Sequence, residues 1–187
     1  DFIGSKRVEA KQCWIDFFEY HTSQEFYNEV LTIFNETRWI KDEKVKVRHT
    51  EGDAKIVTDT QFVIHQPTTG TTRSTHIDNP LEIYAGLLYM RQRGDNAKGG
   101  DFVIYDAPEI NKVVAKTGRE IPKDIEKKEH KKITYKENTF VMFLNTNKSV
   151  HGVTPRENAL HDRLSINIIA EAEKKLGPLF KLNEIVQ

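Results

Sequence analysis

The hydrophobic rhythm of the chain changes near residue 44. Before that point Phe26, Val30, Leu31 and Phe34 recur at helical spacing and form one apolar face. Thr22-Ser23-Gln24-Glu25 has the form of a capping box, with Thr22 as the expected N-cap and Glu25 three residues on. Trp14, Phe17 and Phe18 form a shorter apolar segment that the pattern alone leaves ambiguous between helix and strand. The first 40 residues are therefore expected to be helical and to cover one side of a sheet. Beyond residue 44, Val45, Val47 and His49 alternate with Lys44, Lys46 and Arg48, as in a half-buried strand. A second strand is expected at 61–65, ended by the turn-forming Pro67-Thr68-Thr69-Gly70. Short β candidates follow at 74–78, 83–90, 101–105, 131–135, 139–144, 149–153 and 163–170. Between two of them, 122–132 is mostly charge of both signs and reads as a solvated helix or loop rather than a substrate lid. Many short strands between turns predict a sandwich or barrel-like double sheet, not a βαβ fold.

Composition narrows this further. A length of 187 residues suits a single domain, 1–187, with helical support over about 1–40 and a β core over about 44–170. Charged residues make up 30%, yet 28 basic and 28 acidic side chains cancel, so binding to nucleic acid or a membrane surface through bulk positive charge is not expected. No run of about 18 apolar residues marks a membrane span. The lone Cys13 has no partner for an intrachain disulfide, and beside Trp14 and Ile15 it reads as a small buried residue rather than a nucleophile. A reducing, cytoplasmic setting is the expectation. The first residue is Asp1, as in a trimmed or processed end.

The chemistry lies in His76-Ile77-Asp78. In an extended segment residues two apart point the same way, so His76 and Asp78 project together and Ile77 opposes them. A lone His-x-Asp arises often by chance. Here His151 lies in a β-rich segment downstream and supplies a third ligand, and two imidazoles with one carboxylate form the facial set that holds Fe(II) with open positions. Zinc accepts the same ligand types but leaves a downstream arginine without a purpose. That arginine is Arg163, which shares a strand face with Ser165 and Asn167. A guanidinium and a nearby hydroxyl can grip a carboxylate. Tyr89 offers a phenol to the same anion or packs as a core aromatic, and Arg73 is either a substrate contact or a solvated loop residue. The remaining histidines, His21, His49, His65, His130 and His161, have no carboxylate at ligand spacing and read as structural or surface residues.

With these residues in place, the chain resembles the Fe(II)/2-oxoglutarate-dependent oxygenases, especially their prolyl-hydroxylase-like branch. The resemblance runs over roughly residues 60–170. It is carried by Gly70, His76-Ile77-Asp78-Asn79-Pro80, Leu87-Leu88-Tyr89-Met90, Gly99-Gly100-Asp101-Phe102, 138–143, His151-Gly152-Val153 and Arg163-Leu164-Ser165. It implies a mainly β fold, a double-stranded β-helix (jelly roll) flanked by N-terminal α-helices. It also implies that His76, Asp78 and His151 hold Fe(II) and act in catalysis, and that Arg163, with Ser165 and Tyr89, binds 2-oxoglutarate. The implied reaction uses O2 to hydroxylate an unactivated C–H bond of a small-molecule or peptidyl substrate, prolyl residues included, with release of succinate and CO2. The 106–137 segment is longer and more charged than in the compact family version, and 156–159 form an additional polar loop, both where the family varies with substrate. The competing reading is a cupin-like jelly roll, a metal- or sugar-binding or isomerase domain with no 2-oxoglutarate turnover.

Overall fold

The plan of the molecule follows from the alternation of its last strand. In the computed structural model, β7 (Arg163–Ala172) lies between β1 (Ile56–His65) and β2 (Glu82–Tyr89), antiparallel to both. β5 (Thr139–Leu144) joins β2 to complete a four-stranded sheet of order β1-β7-β2-β5. A second, three-stranded sheet has the order β4 (Lys128–Ile133), β3 (Phe102–Asp106), β6 (His151–Val153). The structure describes residues 10–34, 56–67, 74–107, 121, 123–146 and 148–172. The strand expected at 44–49, with His49, and the loop residues Gly70 and Arg73 lie outside them.

Each face of the larger sheet has its own partner. Ile166, Ile168 and Ala170 point outward and pack with Tyr84 against Phe26, Tyr27 and Val30. These three come from α2 (Gln24–Phe34), and α1 (Gln12–His21) adds Trp14 and Phe17 to the same cluster. The ambiguous apolar segment is therefore helical, and both helices cover one side of a sheet as its periodicity predicts. The inward residues of the larger sheet meet the smaller one, with Tyr89, Val141 and Phe143 packing against Phe102 and Tyr135. Two antiparallel sheets closed face to face make this a mainly β, double-stranded β-helix flanked by helices.

Four local expectations are corrected. The N-cap of α2 is Ser23, whose Oγ accepts the Phe26 N–H at 3.1 Å. Thr22 is already committed to the end of α1, its backbone N–H and hydroxyl both donating to the Phe18 carbonyl. Cys13 is exposed, because the helical period buries Ile15 and Phe18 and turns Cys13 to the other side. Residues 74–78 form no strand; His76 makes an isolated antiparallel bridge to His151. The charged stretch before residue 133 is strand β4 along 128–133, paired with β3. Its side chains are exposed on both faces, so it carries no alternating signal. Charged lysines suit such an edge, since they deter pairing with another chain.

Two substitutions test this packing. Ile168→Ala, at a fully buried position, is expected to lower unfolding free energy by about 2–5 kcal/mol. Ile33→Ala, on the exposed side of α2, is expected to change it by no more than about 0.5 kcal/mol. Urea denaturation of both variants measures the difference.

Candidate active site

The backbone brings the two histidines together before their side chains do. His76 N–H donates to the His151 carbonyl at 2.8 Å, and His151 N–H donates to the His76 carbonyl at 2.9 Å. Segments 75 positions apart are thus locked side by side, and the imidazole centroids stand 4.3 Å apart. Asp78 completes the group. One carboxylate oxygen lies 3.3 Å from His76 Nε2 and the other 3.4 Å from His151 Nε2. All three residues are buried, and their ligand atoms lie within 4.8 Å of one another. Ile77 turns away into a separate cluster with Ile121 and Val150. The alternation predicted for a strand holds here without one.

Hydrogen bonding selects the tautomers. His76 Nδ1 lies 2.7 Å from the Ser74 carbonyl, and His151 Nδ1 lies 2.8 Å from the Ser149 carbonyl. A carbonyl only accepts, so each Nδ1 carries the proton and donates. In the neutral ring this leaves the lone pair on Nε2, 3.3 Å from an Asp78 oxygen for His76 and 3.4 Å for His151. His76 Nε2 is buried with no hydrogen-bond partner. A buried nitrogen left unsatisfied costs stability unless something occupies its lone pair. A divalent cation does so, and the carbonyl on the far nitrogen is how metal-bound histidines are usually oriented. Two neutral imidazoles and a carboxylate therefore fit Fe(II) in chemistry and in approach.

The same cavity, about 170 Å³, is also lined by Arg163, Ser165 and Asn167 from β7. Arg163 is 2% exposed. Its Nε–H donates to the Gly100 carbonyl at 3.0 Å, and its carbon Cζ lies 4.8 Å from the Tyr89 ring centre and 5.0 Å from that of Tyr135. Nη2 has no partner. Burial pulls the Arg163 pKa down, although the Tyr89 and Tyr135 phenols oppose that shift. The Tyr89 hydroxyl is buried, and burial pushes its pKa up to about 12 against the pull of Arg163, which approaches it both as a charge and as a hydrogen-bond donor. Near neutral pH it therefore remains an O–H donor. A buried cation and two unused donors are what a carboxylate would satisfy. Ser165 Oγ has only a 3.5 Å contact to Asn167 Oδ1.

Sequence reasoning missed three neighbours. His65, read as structural, lines the cavity beside Val63, because β1 pairs with β7 and sets His65 opposite Arg163. Tyr135 is fully buried and accepts the Leu164 N–H at 2.9 Å, which anchors the start of β7. Arg156, read as part of a polar loop, is fully buried in an ion pair with Asp95 at 2.9 Å. The strand register was the one available signal for His65; nothing local in the sequence marks Tyr135 or Arg156. His130 is a surface residue paired with Asp106 at 3.1 Å, and His21 lies over Phe17 at the end of α1.

Comparison with known proteins gives one family. The model described as "2OG-Fe(II) oxygenase superfamily" matches residues 60–170, more than half of the chain. A solved structure of prolyl 4-hydroxylases from Phytophthora capsici is similar at 16% identity and a TM-score of 0.37. That similarity covers 87% of this chain and 52% of the other, so the chain spans about half the length of that relative. No curated protein matches.

The three-residue cluster predicts one tight divalent site. In an electron paramagnetic resonance titration with Mn(II), the protein should bind one equivalent. His76→Ala and Asp78→Ala should each weaken that binding by tenfold or more, a loss of about 1.4 kcal/mol or greater. His130→Ala, at the surface, should leave it unchanged.

Proposed function

Because the chain belongs to the 2OG-Fe(II) oxygenase superfamily, we propose that it is a dioxygenase in which His76, Asp78 and His151 hold Fe(II) and Arg163 holds the distal carboxylate of 2-oxoglutarate. The observation that carries the proposal is the pairing, in one cavity, of a metal-ready cluster with a buried arginine whose Nη2 has no partner. A cupin-like sugar-binding domain would give that buried charge no counterpart. Iron bound there would supply the activation of O2, coupling oxidative decarboxylation of 2-oxoglutarate to succinate and CO2 with oxidation of an unactivated C–H bond.

The chain's own residues do the rest. The Nδ1-bonded imidazoles present fixed lone pairs, so no rearrangement is needed when metal arrives. Arg163 is held at Nε by Gly100 and keeps Nη2 for the anion, with Tyr89 and Ser165 as additional donors. Val63, Leu87, Phe143 and Ile169 form apolar walls that exclude water and strengthen every charged contact inside. The cavity is smaller than the roughly 300–1,000 Å³ of pockets that engulf drug-sized ligands. It suits the cosubstrate and the reacting end of a substrate presented from outside. The motif order favours the prolyl-hydroxylase-like branch, with hydroxylation of a peptidyl, prolyl included, or small-molecule carbon as the outcome. In this reading the whole chain acts as a single oxygenase domain.

Purified protein with Fe(II) is expected to turn 2-oxoglutarate into succinate slowly without added substrate. Arg163→Ala should raise the KM for 2-oxoglutarate about 30-fold or more, the effect of removing one partner of a buried charge pair. His76→Ala should abolish turnover. Unchanged succinate production in both variants would sink the proposal. A mass screen of peptides and metabolites for gain of one oxygen would identify the substrate.

A further inference from the structure

Arg163 is anchored at Nε by a carbonyl that belongs to a turn packed against a buried charge pair. Its Nε–H donates to the carbonyl of Gly100, and Gly100 lies in a turn that few other residues could form. Gly99 and Gly100 have φ of 74° and 78°, the left-handed region that glycine tolerates. A Cβ on Gly99 would fall 1.8 Å from the Pro155 carbonyl oxygen. A Cβ on Gly100 would fall 3.2 Å from Cγ and Cδ of Arg156. The turn therefore rests directly on the Arg156 side chain.

Arg156 is fixed in turn from beyond the turn. Its Nη2 meets Asp95 Oδ2 at 2.9 Å, and its Nη1 donates to the His161 carbonyl at 2.8 Å. Asp95 is itself held, since its Oδ1 accepts the Ala97 N–H at 3.0 Å and Arg91 Nε lies 3.4 Å from Oδ2. Thr154 grips the other side of the turn, its carbonyl accepting from Gly100 N–H and its Oγ1 from Asp101 N–H.

We propose that the Asp95–Arg156 ion pair is a positioning element for 2-oxoglutarate, holding the Gly99-Gly100 turn where its carbonyl aims Arg163 into the cavity. A buried ion pair is a poor source of net stability, because desolvation offsets its Coulomb attraction. Its place against Gly100, the residue whose carbonyl accepts from Arg163 Nε, gives it a second role. Charge supports the same role. Arg91, Arg156 and Arg163 all lie within 6 Å of the Tyr135 ring centre. Asp95 neutralises Arg156, which does not line the cavity, and leaves Arg163 as the guanidinium with an unused donor among the cavity-lining residues.

This inference rests on the reading that Arg163 binds 2-oxoglutarate, and one calorimetric series separates the two. The protein is loaded with Mn(II) under nitrogen and titrated with 2-oxoglutarate. Asp95→Asn, Arg156→Lys and Thr154→Val should each raise the Kd for 2-oxoglutarate, the first two by about tenfold or more, in the range usual for partners one shell out. Mn(II) affinity, which a general loss of structure would lower, should stay at the wild-type value. If Arg163→Ala binds 2-oxoglutarate as the wild type does, the reading of Arg163 fails. If Arg163→Ala loses binding while the folded variants at the other three positions keep the wild-type Kd, the positioning role alone is overturned. Should the ion-pair variants not fold, Thr154→Val decides, because it loosens the same turn without touching the buried charges.

Discussion

Two backbone hydrogen bonds, exchanged between His76 and His151, are the constraint on which the rest of the site depends. They join a segment outside any strand ladder to the three-residue β6, and so fix two imidazoles without using either side chain. Neighbouring residues keep the junction tight. A Cβ on Gly152 would meet Thr75 Cα at 3.2 Å, closer than side chains normally pack. Past Asp78, the Asn145 side chain donates to the carbonyls of Asn79 and Glu82, ending the excursion where β2 begins. With the main chain fixed at both ends, the side-chain alternation of 76–78 has one outcome. His76 and Asp78 face the cavity, and Ile77 enters an apolar cluster.

How much of this the sequence revealed depended on whether an element has two different faces. β7 was legible because Ile166, Ile168 and Ala170 meet the helices while Arg163, Ser165 and Asn167 meet the cavity. β4 was legible only at its end, where the candidate at 131–135 overlaps it, because residues 128–132 are exposed on both faces and Ile133 is its one apolar residue. The same rule explains the helices. Ile15 and Phe18 set the face of α1, and Cys13 fell outside it despite apolar neighbours. The cluster of His76, Asp78 and His151 was legible because its side-chain spacing is local for two members and chemically distinctive for the third. His65 and Arg156 were not, because their surroundings are built by residues distant in the chain: β7 for one, Asp95 for the other.

The two buried arginines show why burial alone does not mark a binding residue. Arg156 is the more buried, yet a carboxylate and a carbonyl take both of its terminal nitrogens. Arg163 has a carbonyl at Nε and two aromatic rings against its plane, but nothing at Nη2. Ring faces attract a cation without supplying the hydrogen bond its N–H groups require. Each guanidinium keeps one unmet N–H, Nε in Arg156 and Nη2 in Arg163, and the difference is that Arg163 lines the cavity whereas Arg156 does not.

The two halves of the proposed site rest on different sheets. His151 belongs to the smaller sheet and draws His76 to it, whereas Arg163 and Ser165 belong to the larger one. A ligand that chelates a metal at one end and meets Arg163 at the other spans the space between the sheets. Its affinity then depends on how rigidly they are held relative to each other. The Gly99-Gly100 turn leads into β3 of the smaller sheet, yet its carbonyl holds an arginine of the larger one. That hydrogen bond, beside the one from Leu164 N–H to the Tyr135 hydroxyl, couples the two halves. A fault in the turn would therefore reach the anion end first and leave the histidine cluster, tied by its own backbone bridge, in place.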